Sequence, residues 1–230
     1  MDKIITIAGT GYVGLTTATV LANVGYKVWT IDVDSKKIET IKGGKSYFFE
    51  SGLDQFIKKS IDEKKLFPTI EYEEAIAESD IVFSCVGTPD KEDGTPNLDF
   101  IYQVVEQVAK NCEKVGKKEI IFVQKSTVPV GTGKKLVEYA KSINPKLRMR
   151  YVSNPEFLRE GSALYDTLVV DRIVIGSKDV EAREEVAKLF KNVNEFAINL
   201  KHDSYTDYAS VYHNSFADAE KIDFSKKIQM

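Results

Sequence analysis

Short apolar runs separated by amphipathic stretches dominate the first 200 residues of the chain. Six runs have the length of one strand each: residues 3–8, 26–31, 81–86, 119–123, 149–152 and 172–175. They are apolar almost throughout instead of alternating with polar residues, which is typical of strands that helices cover on both faces. The pattern therefore predicts a mainly parallel sheet.

Amphipathic helices are predicted between these strands. The clearest helix opens with Asn97 or Asp99 as a cap, and its apolar stripe comprises Leu98, Ile101, Val104, Val105, Val108 and Cys112. A late charged helix repeats this spacing at Ala182, Val186, Leu189 and Phe190. Alternating strands and helices predict a Rossmann-like, doubly wound α/β fold over residues 1–200. Residues 201–230 are polar and aromatic, and we expect a helix that stops short, or a tail.

Composition and charge narrow the class of protein. The chain has 230 residues, of which 43% are hydrophobic, and a formal net charge of -3. It has neither the basic excess of a nucleic-acid-binding protein nor an apolar segment near the roughly 20 residues of a membrane span, so we expect no nucleic-acid or membrane partner. Two cysteines make neither a disulfide framework nor a zinc site, so no metal is predicted. Without a signal peptide, the chain is expected to be cytoplasmic.

A glycine-rich loop follows the first predicted strand. Gly9, Gly11 and Gly14 form a G-x-G-x-x-G pattern that opens a helix, and Tyr12 and Val13 complete the loop. Such glycines allow a tight turn, close approach to a pyrophosphate, and close packing of helix on strand, while the helix N-terminus favours phosphates. A glycine-rich turn without a ligand is the alternative.

An acidic residue at the end of the second predicted strand points to the cofactor. Asp32 lies about 20 residues beyond the loop, where a carboxylate accepts hydrogen bonds from ribose hydroxyls and repels a 2′-phosphate. The sequence therefore predicts NAD over NADP. Lys37 on the next predicted helix would weaken this preference, and we include it among the cofactor-binding residues.

Three further polar motifs follow predicted strands. They occupy residues 83–89, 124–133 and 153–163, and the last reads Ser-Asn-Pro-Glu-Phe-Leu-Arg-Glu-Gly-Ser-Ala. Together with the glycine loop, they resemble the UDP-glucose/GDP-mannose dehydrogenase family over about residues 1–195, and most closely its UDP-glucose 6-dehydrogenase branch. The GDP-mannose and UDP-N-acetylmannosamine branches stay open.

The resemblance implies a four-electron oxidation of a sugar-nucleotide alcohol to a carboxylate with two NAD. It assigns Thr127 and Glu160 to positioning a water near the nicotinamide, and Glu156 to general-base catalysis late in the reaction. It implies substrate contacts from Glu156, Phe157, Leu158 and Arg159, and cofactor contacts from Thr88, Thr127 and Glu160. The alternative for Glu156 and Glu160 is that both cap a helix after Pro155.

Two features of the family are missing from this sequence. Its catalytic cysteine, in a glycine-rich segment of a second domain, has no counterpart, and we interpret Cys85, within a strand, and Cys112 as small buried hydrophobic residues. The family also has a long helix that leads to the second domain and carries a catalytic Lys and Asn. After Ala219 and Glu220 this sequence has Asp223 at the position of that Lys and Lys227 at the position of that Asn.

Two hypotheses about function remain open. The chain is either the NAD-binding half of a UDP-sugar dehydrogenase, acting with a missing C-terminal half or as a homodimer, or an inactive module that binds NAD and a sugar nucleotide. The β-hydroxyacid dehydrogenases are a weaker alternative, because they share the glycine loop and lack the Asn-Pro-Glu-Phe-Leu-Arg-Glu-Gly string.

Overall fold

The computed structural model describes residues 3–170, 172–202 and 228–229. Several predicted features lie outside these residues: the polar segment 203–208, and the altered positions of the connecting helix, Ala219, Glu220, Asp223 and Lys227. Their interpretation stays a prediction.

A six-stranded parallel sheet forms the centre of the molecule. Its order is β3-β2-β1-β4-β5-β6, and its strands are β1 (Ile4–Ala8), β2 (Lys27–Ile31), β3 (Leu66–Thr69), β4 (Ile81–Ser84), β5 (Glu119–Gln124) and β6 (Arg148–Ser153). The order reverses direction between β1 and β4, which is the switch point of a doubly wound sheet. The prediction of a Rossmann-like fold is confirmed. A separate parallel pair joins β7 (Ile173–Val174) to β8 (Ile228–Gln229).

Helices cover both faces of the sheet. They are α1 (Tyr12–Val24), α2 (Ser35–Lys42), α3 (Leu53–Asp62), α4 (Tyr72–Glu78), α5 (Asp99–Lys114), α6 (Thr132–Ile143), α7 (Ala163–Leu168) and α8 (Val180–His202). Buried side chains of α1, α3, α7 and α8 pack on one face, and those of α4, α5 and α6 pack on the other. Burial on both faces explains why the strands are apolar throughout.

The predicted apolar stripe is buried throughout α5, from Ile101 to Cys112, whereas Leu98 precedes the helix and is half-buried. The helix begins at Asp99, whose amide donates a hydrogen bond to Asn97 Oδ1 over 2.9 Å. The sequence pattern missed β3, because Leu66 is its one buried residue and Pro68 interrupts it. An edge strand accommodates a proline because one side of its backbone has no ladder to complete.

A buried arginine ties the far edge of the sheet to α8. Arg150 of β6 is 6% exposed at its side chain, and its guanidinium donates to Asp179 at 2.6 Å and Glu119 at 3.1 Å. Asp179 also accepts a hydrogen bond of 3.0 Å from the Ala182 amide in the first turn of α8. This network joins β5 and β6 to the first turn of α8. None of the described helices is long and apolar enough to span a membrane.

Candidate functional site

The glycine loop lies at the switch point of the sheet, between β1 and α1. Gly9 has a φ of +94°, and a Cβ there would come within 2.9 Å of the Cys85 carbonyl oxygen. A Cβ on Gly14 would lie 1.8 Å from the Gly9 carbonyl oxygen, so α1 approaches the loop too closely for any side chain. At Gly11, by contrast, a Cβ would meet no described atom within 4 Å. The loop is therefore tight on its protein side and open on its outer side.

The amino end of α1 faces this open side. Its N-cap is Gly11, and no side chain caps the helix. The unpaired amides and the positive end of the helix dipole are thus available to an anion, which is the arrangement that binds a pyrophosphate.

Asp32 follows β2 directly, and its carboxylate hydrogen-bonds to the glycine loop. Its Oδ2 atom accepts hydrogen bonds from the Thr10 amide at 2.9 Å and the Thr10 hydroxyl at 2.6 Å, and its Oδ1 atom accepts one from the Asp34 amide. Partial burial acts to raise the pKa of Asp32, but the hydrogen bonds from Thr10 and Asp34 and the charge of Lys37 lower it overall. The ionised carboxylate is the acceptor that ribose hydroxyls require.

A cavity of about 600 Å³ opens beside this carboxylate and is lined by Gly9, Asp32, Tyr72 and Val86. Lys37 does not line it. Its ammonium lies 4.9 Å from the centre of the Tyr47 ring. The Tyr47 hydroxyl donates a 2.7 Å hydrogen bond to the Thr10 carbonyl, so an aromatic side chain is attached to the glycine loop.

A second cavity, of about 280 Å³, continues along the carboxyl ends of the strands, and we call it the cofactor-side cavity. It is lined by Gly11, Tyr12, Val13, Cys85, Thr88, Thr127 and Glu156, among others. Of the ten described residues that line it, six were predicted as site residues. The Thr88 hydroxyl approaches the Thr127 carbonyl at 3.4 Å, so the loops after β4 and β5 are in contact.

A third cavity, of about 570 Å³, lies on the other side of the loop after β6, and we call it the substrate-side cavity. It is lined by Lys125, Glu156, Phe157, Leu158, Arg159 and Arg172, among others. The Arg159 guanidinium and amide bind Asp166, with a shortest distance of 2.6 Å, and the Arg172 guanidinium lies 4.7 Å from the Phe157 ring centre. The lining of the cavity is part apolar and part charged, and its three cations, Lys125, Arg159 and Arg172, outnumber its two carboxylates, which suits a phosphorylated ligand.

Glu156 lines both the cofactor-side and the substrate-side cavity. Its Oε2 atom is buried and has no hydrogen-bond partner among the described residues. Glu160 is exposed on the same loop and is not among the residues lining either cavity. The roles of both carboxylates stay predictions.

The idea that these two residues cap a helix after Pro155 is wrong. Residues 154–162 form a loop, and α7 begins only at Ala163 with Ser162 as its N-cap. The side chain of Asn154 donates to the Val174 carbonyl at 2.8 Å, which holds the start of this loop against β7. A loop anchored in this way brings Glu156 to the strand ends without a helix.

The two cysteines differ in position. Cys112 is fully buried in α5, as predicted, and burial raises the pKa of its thiol to about 11. The prediction that Cys85 lies buried within a strand is wrong, because β4 ends at Ser84 and Cys85 is partly exposed beside the cofactor-side cavity. Burial of its sulfur still raises the pKa of this thiol to about 12, which disfavours a thiolate nucleophile.

A family model described as the NAD binding domain of the UDP-glucose/GDP-mannose dehydrogenase family matches residues 3–194. The chain belongs to this family. Its matched segment contains all six strands of the parallel sheet and the three motif loops. NAD is therefore the cofactor of this domain, and the fit is local as well: the open side of Gly11 leaves room for the pyrophosphate, and the ionised Asp32 suits the ribose.

Individual members of the UDP-glucose/GDP-mannose dehydrogenase family are similar over the same region. UDP-glucose 6-dehydrogenase YwqF of Bacillus subtilis is 38% identical over 227 residues, 97% of this chain and 50% of YwqF. The structure of a UDP-glucose dehydrogenase from Pyrobaculum islandicum aligns with a TM-score of 0.79 at 32% identity, over 84% of this chain and 45% of that one. The structure of a GDP-mannose dehydrogenase from Pseudomonas aeruginosa also aligns with a TM-score of 0.79, at 27% identity, over 98% of this chain and 55% of that one. The chain thus spans about half the length of these relatives.

Two residues near the candidate site were not singled out from the sequence. Lys125 is the second residue of the motif 124–133 and is buried beside the substrate-side cavity, and Tyr47 hydrogen-bonds to the glycine loop. A lysine directly after a buried apolar strand is a signal that sequence reasoning can use, because a charged residue there has to find a polar partner. Tyr47 lies in a segment without periodicity, and no local signal marks it.

Proposed function

We propose that this chain is the NAD-binding half of a UDP-glucose 6-dehydrogenase, which converts UDP-glucose and two NAD to UDP-glucuronate. The observation that carries the proposal is the position of Glu156, whose carboxylate borders both the cofactor-side and the substrate-side cavity. A base at that junction is within reach of a group that reacts with a bound dinucleotide. The similarity to curated UDP-glucose 6-dehydrogenases favours this branch of the family.

Each of the predicted site residues would have its own role in this reaction. Bound NAD supplies the acceptor for the hydride that leaves the substrate's primary carbon. Glu156 acts as the general base late in the reaction, since it is the carboxylate at the junction of the two cavities. Thr127 and Glu160 hold a water for the later hydration step, and the loop residues 157–159 bind the sugar nucleotide.

The chain by itself is proposed to bind without completing the oxidation. The thiol of Cys85 is the one beside the cofactor-side cavity in the described part of the chain, and its raised pKa makes it a poor nucleophile for a covalent intermediate. Completion would then need a cysteine-bearing half, in the same or another chain. Free cysteines and a nucleotide cofactor are consistent with the cytoplasm as the site of action.

Two measurements test this proposal. Calorimetric titration of the chain should show NAD binding at least tenfold tighter than NADP binding, because the Asp32 carboxylate repels a 2′-phosphate. The absorbance of NADH, followed after mixing the chain with NAD and UDP-glucose, should show no sustained increase. Absence of NAD binding would refute the cofactor assignment, and sustained turnover would refute the need for a further half.

The substrate branch is tested with three nucleotide sugars. UDP-glucose, GDP-mannose and UDP-N-acetylmannosamine are titrated separately into the chain saturated with NADH, which accepts no hydride. We expect UDP-glucose to bind most tightly. Preference for GDP-mannose or UDP-N-acetylmannosamine would move the chain to that branch of the family.

A further inference from the structure

Lys125 is a buried lysine that the proposed function leaves without a role. It follows β5 directly, its residue is 6% exposed, and it lines the substrate-side cavity beside Glu156. Lysine is rarely buried to this degree unless its charge has partners, because removing an ammonium from water is costly. Burial accordingly lowers the pKa of Lys125, although the nearby charge of Glu156 opposes that shift.

The partners that the protein provides are too few for this ammonium. Within the described residues, its one hydrogen-bond acceptor is Asn154 Oδ1 at a long 3.4 Å. The Phe190 ring centre lies 5.6 Å away and offers a weak cation–π contact. An ammonium has three donors, so at least one more acceptor is needed to satisfy it.

An acceptor that lacks a hydrogen-bond donor lies in the same cavity. Glu156 Oε2 is buried and accepts no hydrogen bond from any described residue. The other charged side chains that line the cavity have contacts elsewhere: Arg159 pairs with Asp166, and Arg172 lies on the Phe157 ring. A donor in excess and an acceptor in excess therefore line one cavity.

A hydroxyl group complements both deficits at once, because it accepts a hydrogen bond at its oxygen and donates its proton. We propose that Lys125 is a further substrate-binding residue, whose buried ammonium and the buried Glu156 Oε2 atom bind one hydroxyl of the substrate's hexose between them. The ammonium donates to the hydroxyl oxygen, and the carboxylate accepts the hydroxyl hydrogen. This inference rests on the proposed function, which brings a nucleotide sugar to this cavity.

The pairing also explains why a lysine is better suited to this position than an apolar residue. A buried charge contributes little to stability by itself, and an apolar side chain of similar size is often as stabilising. A site built to hydrogen-bond a hydroxyl discriminates strongly against ligands that lack it, because the buried groups then stay unpaired. Lys125 would thus provide recognition of the hexose rather than stability of the fold.

The test compares UDP-glucose with UDP, which has no hexose. Both are titrated into the NADH-saturated chain by calorimetry, for wild type, Lys125→Met, Glu156→Gln and the double variant. We expect wild type to bind UDP-glucose more tightly than UDP, and Lys125→Met to weaken UDP-glucose binding at least tenfold while leaving UDP binding within twofold. Because both side chains contact one hydroxyl, the double variant should lose little more than either single variant.

The matched control is Lys117→Met. Lys117 is also partly buried with a pKa lowered by burial, but it lies before the amino end of β5, whereas Lys125 follows the carboxyl end, and it donates to the Ser79 carbonyl. This variant should bind both ligands as wild type does. If Lys125→Met does not fold, the ¹³Cε resonance of Lys125 in wild type, assigned with Lys125→Arg, should shift with UDP-glucose and not with UDP.

The outcomes separate this inference from the proposed function. A chain that binds neither UDP-glucose nor UDP refutes the proposed function, and the inference with it. Equal affinity of wild type for the two ligands, or equal losses for both in Lys125→Met, overturns the inference alone. Additive losses in the double variant would show that the two side chains bind different groups, and would overturn it as well.

Discussion

The same substitution at two glycines of the loop should have opposite consequences, and this contrast tests how the loop works. At Gly14 a Cβ would lie 1.8 Å from the Gly9 carbonyl oxygen, which is backbone and cannot rotate away. At Gly11 a Cβ would meet nothing within 4 Å, and φ is −59°, which alanine adopts without strain. Gly14→Ala should therefore damage the fold, whereas Gly11→Ala should damage ligand binding.

The magnitudes follow from these distances. Overpacking a well-packed site costs about 1–3 kcal/mol, and a clash with backbone belongs at the upper end, so we expect a loss of about 3 kcal/mol for Gly14→Ala. For a domain of this size that lowers Tm by roughly 6–12 °C. Gly11→Ala should change the free energy of unfolding by less than about 1 kcal/mol, because only the N-cap preference of α1 is affected. Its methyl group occupies space that a pyrophosphate needs, so NAD affinity should fall at least tenfold, or about 1.4 kcal/mol.

Urea and thermal unfolding followed by circular dichroism measure the first effect, and calorimetric titration with NAD measures the second. Each variant is the control for the other, because the added group is one methyl in both. Wild-type NAD affinity in Gly11→Ala would refute the passage of the pyrophosphate along Gly11. Wild-type stability in Gly14→Ala would refute the close contact between α1 and the loop.

Four further predictions concern the charged and thiol groups. Asp32→Asn should weaken NAD binding about tenfold, since a neutral amide is a poorer acceptor for ribose hydroxyls, and unchanged affinity in a titration would contradict the ribose assignment. Asp179→Ala should cost about 2–3 kcal/mol in urea unfolding because it removes the closest partner of the buried Arg150 guanidinium, whereas Asp62→Ala, at an exposed pair, should cost less than about 0.5 kcal/mol. The hydrogen bond with Arg150 lowers the pKa of Asp179 in the folded chain. The contribution of Asp179 to the free energy of unfolding is therefore complete above about pH 4 and is lost as the pH falls towards the folded-state pKa. A free energy of unfolding that does not change over this acid range would contradict this. Iodoacetamide at pH 8 should alkylate Cys85 at least tenfold more slowly in the folded chain than in urea, given a thiol pKa of about 12, and equal rates would count against its burial.

Much of the architecture was predictable because its signals are local. An uninterrupted apolar run is enough to indicate a strand covered on both faces, and the spacing of Gly9, Gly11 and Gly14 is enough to place a turn before a helix. Chain order then placed the three polar motifs at the carboxyl ends of parallel strands. For β4, β5 and β6 this is where they lie.

Other features depend on contacts between residues distant in sequence, and only the tertiary structure decided them. The burial of Lys125 depends on Phe190 of α8, 65 positions further along the chain. The loop form of residues 154–162 depends on Asn154 binding the Val174 carbonyl, a contact that overrides the acidic pattern typical of a first helical turn. The sequence by itself thus determined the fold class, five of the six strands of the sheet, and the cofactor. Packing at the strand ends decided which side chains meet, because hydrogen bonds and burial there join segments that no local pattern relates.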